Sequence, residues 1–199
     1  MSTALPESYF DALYSRREDP WRFESRWYER RKRTITMASL PREQYDMALE
    51  IGCSLGLLTV DLAARCESVL ALDIAQAAVD AARTRTAGLR VRVEQTDVAA
   101  GLPAGDFDLV VLSEVGYYFE SDGLARLLHE IEGRLTANGT LVACHWRHPV
   151  DDYPISGDAV HAAIGRLSLT RVASHVEDDF VLEVWTRDGA SVAARTGML

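Results

Sequence analysis

Two glycines four residues apart, Gly52 and Gly56 in the stretch ALEIGCSLGLLTVDLA, have the type and spacing of a turn that joins a strand to a helix around a bound ligand. Glycine at each end lets the backbone turn tightly and aim the first amides of the helix at that ligand. Glu50 precedes the turn, and two more carboxylates follow it, Asp73 in LALDI and Asp97 in EQTDV. Asp73 lies 21 residues past Gly52, where a carboxylate can accept both hydroxyls of a ribose. Asp97 stands beside the backbone amide of Val98, just after a β-like run. The same groups have plainer uses, Glu50 against a helix dipole, Asp73 as a helix cap and Asp97 as a turn residue. The nicotinamide or flavin fingerprint G-x-G-x-x-G does not fit. It would need glycine at 54 and 57, where the chain has Ser54 and Leu57.

The elements that must hold these residues are legible in the apolar pattern. Short β-like runs at Met47 to Gly52, Ser68 to Ile74, Arg90 to Gln95, Phe107 to Glu114 and Gly139 to Trp146 alternate with helical windows at Leu57 to Arg65, Ala75 to Thr86 and Asp122 to Leu135. Strands alternating with helices of this length predict βαβ units, an α/β fold whose parallel sheet carries helices on both faces. A further helix in ISGDAVHAAIGRL precedes two strands, LTRVASHVED and DFVLEVWTR, that predict an antiparallel hairpin turning at Glu177 to Asp179. Two helices at about Glu7 to Arg17 and Glu24 to Leu40 read as a cap on the sheet. We expect one domain, with the cap at 1–45, the βαβ core at 46–150 and the last helix and hairpin at 151–199.

The segment Glu50-Ile-Gly52-Cys-Ser-Leu-Gly56 resembles the E/D-x-G-x-G-x-G first motif of class I S-adenosylmethionine-dependent methyltransferases, with Ser54 in place of the middle glycine. At SEVGYYF, ACHWRHPVDDYPISGDAVH and N-terminal SYFDALYSRREDPWRFESRWYERRKR the chain is similar to the NodS family, N-methyltransferases that act on the deacetylated glucosamine end of chitooligosaccharides. The resemblance implies a Rossmann-like class I methyltransferase fold with a mostly parallel seven-stranded sheet, S-adenosylmethionine as cofactor, no metal, and a small-molecule acceptor such as an amino sugar. The expected cofactor contacts are Glu50, Gly52, Cys53, Gly56, Asp73, Ile74, Asp97, Val98 and Ser113.

Methyl transfer to an amine requires alignment, exclusion of water and removal of a proton. In such a fold the acceptor sits beyond the fourth and fifth strands. Glu114 is the first candidate to bind or deprotonate it, with Tyr117 and Tyr118 as walls; no Asn/Asp-Pro-Pro-Tyr turn is present there. His145 is the second candidate base, and the one an O-methyltransferase would use. Trp146, Arg147 and His148 join the expected acceptor contacts, with Tyr9, Tyr14, Trp21 and Tyr28 at the entrance. Helical spacing puts Trp27, Arg31, Thr34, Ile35 and Ala38 on one stripe. Arg31 is therefore expected to face the sheet and pair with the cofactor carboxylate or a carboxylate of the domain. Loss of activity with retention of cofactor binding is a further alternative, and a dehydrogenase is the remaining one.

Composition bounds the partners. With 30 acidic and 21 basic residues, a formal charge of −9, the chain lacks the cationic surface that nucleic acid demands. It has no secretory pattern and no apolar run of the roughly 18 residues a membrane helix needs. Three cysteines without ligand spacing, Cys53, Cys66 and Cys144, fit reduced thiols in the cytoplasm. Monomer and dimer are equally compatible with the sequence.

Overall fold

The core strands alternate their side chains between two apolar layers. In β1 (Tyr45–Ile51) Leu49 and Ile51 pack on one face and Ala48 on the other; in β2 (Cys66–Asp73) Leu70 and Leu72 oppose Val69 and Ala71. β4 (Phe107–Ser113) and β5 (Leu135–Trp146) repeat the pattern, with Val110, Leu112, Leu141 and Ala143 against Leu109, Val111, Val142 and Cys144. Strands apolar on both faces must be covered on both. The computed structural model, which describes residues 4–199, supplies that cover. On the first face lie α5 (Ser121–Arg134) and α6 (Gly157–Ile164), on the second α3 (Leu57–Ala63), while α4 (Gln76–Arg85) contributes Ala78 to one layer and Val79 and Ala82 to the other.

The seven strands run in the order β3-β2-β1-β4-β5-β7-β6, where β3 is Val91–Gln95, β6 is Thr170–Val176 and β7 is Phe180–Thr186. The first five are parallel, and β7 is antiparallel to both of its neighbours. The order reverses between β1 and β4, which opens a crevice beyond their carboxyl ends. The alternating elements and the terminal hairpin thus stand where the sequence put them, apart from β5, which begins at Leu135 instead of Gly139.

The cap consists of α1 (Glu7–Arg16), an irregular stretch, and α2 (Trp27–Ala38). α2 starts three residues later than its periodicity predicts. Asp19 accepts the amides of Phe23 (2.9 Å) and Glu24 (3.0 Å), and Arg22 adopts φ +61°, so the chain before Trp27 is closed into a turn. A short last helix, α7 (Val192–Arg195), follows the hairpin.

At the opposite end of the sheet, buried Asp108 joins β4 to the start of β1. Its carboxylate accepts the amides of Asp46 (3.0 Å) and Met47 (2.9 Å) and pairs with Arg42 (2.9 Å). An amide side chain keeps only part of this acceptor capacity. Asp108→Asn should lower the unfolding free energy by about 2 kcal/mol, read from the midpoint of urea denaturation.

Candidate active site

The crevice is a cavity of about 510 Å³, floored by the strand ends and covered by the cap. Its floor begins with the turn after β1. Gly52 at φ +78° has no room for a side chain, because a Cβ there would come within 2.2 Å of Val115 in the turn after β4. Ser54 occupies the left-handed region at φ +46°, a position that favours glycine. Its substituent has a use: Ser54 Oγ lies 2.7 Å from the hydroxyl of Tyr14, tying the turn to the cap. The Ser54 amide donates to Asp73 Oδ2 (2.8 Å) and the Ala75 amide to Asp73 Oδ1 (3.0 Å), which fixes that carboxylate at the end of β2. Burial pushes Asp73 up, against the pull of these amides.

Glu50 is buried below the turn and accepts a hydrogen bond from the Thr59 hydroxyl (2.5 Å). Burial pushes its carboxyl up to about 8, although the Thr59 bond favours the charged form. Cys53, Ile74, Thr96, Val98 and Ser113 complete this side of the cavity. Exposed Asp97 also lines it, with Oδ1 accepting the Ala99 amide (2.9 Å).

The other side is built on Glu114, the residue after β4. Glu114 is strained at φ +59° and held from several directions. Its amide donates to the Cys144 carbonyl (2.8 Å), and its Oε2 accepts the Trp146 amide (3.0 Å) and the Tyr117 hydroxyl. Lys32 Nζ, reaching down from α2, lies 2.6 Å from Oε1 and 3.0 Å from Glu29 Oε2. The Lys32 side chain is only 7% exposed. Burial opposes its charge, but the Glu114 and Glu29 carboxylates outweigh that and push its pKa up, whereas burial raises the carboxyl of Glu29. Aromatic side chains surround the group. Tyr117 stacks on Tyr153 with centroids 4.6 Å apart, Tyr118 meets Tyr153 edge-on at 4.9 Å, and Trp21 stacks on Phe23 at 5.5 Å.

Of the residues singled out in the sequence, Tyr14, Trp21, Tyr28, Glu50, Gly52, Cys53, Asp73, Ile74, Asp97, Val98, Ser113, Glu114, Tyr117, Tyr118 and Trp146 line this cavity. Others do not. The face of α2 is the clearest correction, since Trp27, Thr34 and Ala38 of the expected inward stripe are exposed, while Ile35 packs against the core. Trp27 is 68% exposed, while Glu29, Lys32 and Thr36 are buried. Arg31 forms a bidentate pair with Glu177 in the hairpin turn (2.9 and 2.5 Å), the domain carboxylate being its partner. His145 is fully buried and both ring nitrogens are engaged within the protein, so it cannot meet a ligand as a base. Arg147 is committed to Asp158 (2.8 and 3.1 Å) and His148 to Asp179 (2.8 Å), while the Tyr9 hydroxyl donates to Asp152 (3.3 Å). Gly56, at φ +76°, shapes the turn without lining the cavity.

The cavity also contains residues that sequence reasoning missed: Glu29, Lys32, Phe23, Arg26, Tyr153 and Asp179. Glu29, Lys32 and Thr36 do share a helical stripe, but a stripe of polar residues ordinarily marks a solvated face.

Removing the Lys32 ammonium would leave two carboxylates buried together. Lys32→Met should cost roughly 3 kcal/mol near pH 8. Burial already raises the Glu29 carboxyl, and loss of the cation raises it further above its unfolded value. The stability it contributes is then lost as pH rises, so the deficit against wild type should shrink toward pH 5 in paired denaturation curves.

The chain matches the profile of the nodulation protein S (NodS) family over residues 13–152. Nodulation protein S of Sinorhizobium fredii (strain NBRC 101917 / NGR234) is 30% identical over 128 residues, 63% of this chain and 59% of that protein. The Rhizobium tropici protein of the same name is 32% identical over 103 residues, 51% of this chain and 43% of its own length. The chain spans about half the length of the curated relatives it matches. Among solved structures, N-methyltransferase NodS from Bradyrhizobium japonicum WM9, in complex with S-adenosyl-L-homocysteine, superposes with a TM-score of 0.81 at 25% identity, covering 90% of this chain and 97% of that one. A Pseudomonas syringae protein is 44% identical with a TM-score of 0.73, covering 81% of this chain and all of its own. The fold is the Rossmann-like class I methyltransferase fold. With the profile extending over most of the cap, the turn after β1 and the Glu114 turn, this chain belongs to the nodulation protein S (NodS) family.

Proposed function

We propose that this chain is an S-adenosylmethionine-dependent methyltransferase whose acceptor is an amine on a small molecule, an amino sugar first among them, and that it works in the cytoplasm. The observation that carries the reading is the joining of two chemistries in one cavity: Asp73 with the Glu50 turn at one side, Glu114 with its aromatic walls at the other. The donor set fits the cofactor. Glu50, Asp73 and Asp97 suit an ammonium, a sulfonium and ribose hydroxyls better than a pyrophosphate, Glu50 giving up its proton to the cation. Each Asp73 oxygen retains acceptor capacity beyond its backbone amide. The buried Tyr28 hydroxyl, without a hydrogen-bond partner among the described residues, also lines the cavity. The S-adenosyl-L-homocysteine in the B. japonicum relative supports the same choice. No helix among the described residues is long and apolar enough to cross a membrane.

In this reading Asp73 holds the ribose, Asp97 and the Val98 amide the adenine, and Glu50 the cationic methionyl end. When bound, the cofactor supplies an electrophilic methyl group on sulfur. The chain's residues then have to align the acceptor nitrogen, exclude water and take its proton. Glu114 is suited to the last task. Oε2 is occupied by Tyr117 and Trp146 and Oε1 by Lys32, which leaves one lone pair of Oε1 for the acceptor's N–H. Lys32 remains charged and therefore balances Glu114 without competing for the proton. The cap and the tyrosine walls keep bulk water from the reacting atoms. O-methyl transfer finds less support, because the imidazole that would serve it, His145, is sealed in the core.

The deciding experiment is calorimetric titration with S-adenosylmethionine, S-adenosylhomocysteine and NAD. Binding of both adenosyl ligands without NAD is expected; NAD binding alone would overturn the reading. Because burial raises Glu50 to about 8, a cation beside it should draw off its proton. Binding at pH 7 should release protons, seen as a binding heat that depends on the buffer, and affinity should rise from pH 6 to pH 8. Glu50→Gln should remove both effects.

Two substitutions separate the halves of the site. Asp73→Ala should weaken binding of S-adenosylhomocysteine by about 1 to 3 kcal/mol. Glu114→Gln should leave that affinity nearly unchanged while lowering kcat with an amine acceptor by roughly 10²-fold to 10⁴-fold. The opposite pattern would reverse the assignment.

A further inference from the structure

Beneath the Glu114 turn runs a chain of buried polar groups that the proposed chemistry leaves unused. The Gly116 amide donates to His145 Nε2 (3.1 Å), His145 Nδ1 lies 3.1 Å from His161 Nε2, and His161 Nδ1 lies 2.8 Å from Glu183 Oε2. Glu183 Oε1 receives a guanidinium N–H from Arg171 and lies 3.5 Å from the Ser174 hydroxyl. His145, His161 and Glu183 are all more than nine-tenths buried. Both ends of the chain fix its direction. A backbone amide can only donate, so Nε2 of His145 carries no proton and its proton sits on Nδ1. That N–H must then donate to Nε2 of His161, which places the proton of His161 on Nδ1, facing an acceptor-only carboxylate.

We infer that His145 and His161 are positioning residues, set in matching Nδ1–H tautomers by Glu183, whose task is to hold the Gly116 amide and with it the turn that presents Glu114 and Tyr117. The turn is closely packed at this point: a Cβ on Gly116 would meet Val160 Cγ1 at 2.5 Å and His145 Nε2 at 3.0 Å, so only glycine fits between the His145 ring and α6. β5 grips the turn with three consecutive residues, the Cys144 carbonyl on the Glu114 amide, the His145 ring on Gly116, and the Trp146 amide on the Glu114 carboxylate. The rings of Tyr117 and Trp185 close the sides of His145 and His161 at 5.4 and 5.6 Å. Burial above all, with the Lys32 charge, disfavours protonation of His145, in keeping with a neutral relay.

The link to catalysis rests on reading Glu114 as the acceptor carboxylate; the tautomers do not. Nitrogen-15 NMR of the histidine-labelled full chain should find His145 and His161, among the five histidines, as Nδ1–H tautomers near neutral pH. His161→Gln keeps an acceptor and a donor in line, whereas His161→Leu removes both. The Gly116 amide should exchange with solvent roughly tenfold faster in His161→Leu than in wild type or His161→Gln, the equivalent of one lost hydrogen bond, while the β4 amides hold their protection. With an amine acceptor, kcat should fall in the leucine variant and recover in the glutamine variant, at unchanged S-adenosylhomocysteine affinity. An Nε2–H tautomer at either histidine, or equal Gly116 protection in the leucine variant, overturns the inference. If His161→Leu does not fold, the wild-type tautomers alone decide it. Failure of the methyltransferase reading would register separately, as absence of adenosyl-ligand binding with the tautomers intact.

Discussion

A lysine ammonium taken out of water between two carboxylates governs how this molecule is put together. Desolvating Lys32 alone would cost several kcal/mol, and the same holds for Glu29 and Glu114. Only when the cap lies on the sheet do the three charges compensate one another. The placement of the cap and the electrostatic state of the site are therefore a single constraint. The trio has two acids for one base at the cavity wall, among tyrosine and tryptophan rings. Such surroundings favour a cation and disfavour an anion.

The backbone strain at the site has the same logic. Glu114 and Ser54 both occupy left-handed conformations that glycine would adopt more cheaply, and each is fixed by bonds that glycine could not make. At Ser54 the side chain reaches the cap through Tyr14. At Glu114 the side chain gathers β5, the cap and Tyr117 around one carboxylate. The strained positions are thus the points at which the layers of the protein are joined.

Much of this was legible in the sequence, and the gaps have definite causes. The strands, the turn glycines and Asp73 could be placed because alternation and strand-to-helix spacing are local properties of the chain. The inward face of α2 could not, because a helix is ordinarily oriented by its apolar stripe and this one turns Glu29 and Lys32 inward to meet Glu114. Trp27 drew the stripe outward by a phase that only Glu114 and Glu29, as partners of Lys32, could have corrected. His145 was assigned to the right strand end, but its partners His161 and Glu183 come from α6 and β7. A buried relay made by three separate elements leaves no spacing to count. Ser54, a departure from the glycine motif, is explained only by a tyrosine 40 residues earlier.

The cavity also divides its lining unequally between the sheet and the connections. The side near Asp73 is made by strand ends and the tight turns that follow them. The opposite wall rises from the Glu114 turn and is completed by distant stretches, among them Pro20 to Arg33 in the cap, Val150 and Tyr153 after β5, and Asp179 in the hairpin turn. Loops accept insertion and substitution far more readily than strands that form a core. Such stretches can be exchanged among relatives while the strand ends and their tight turns stay as they are, so a family name of this kind is a record of scaffold ancestry more than of what fills the cavity.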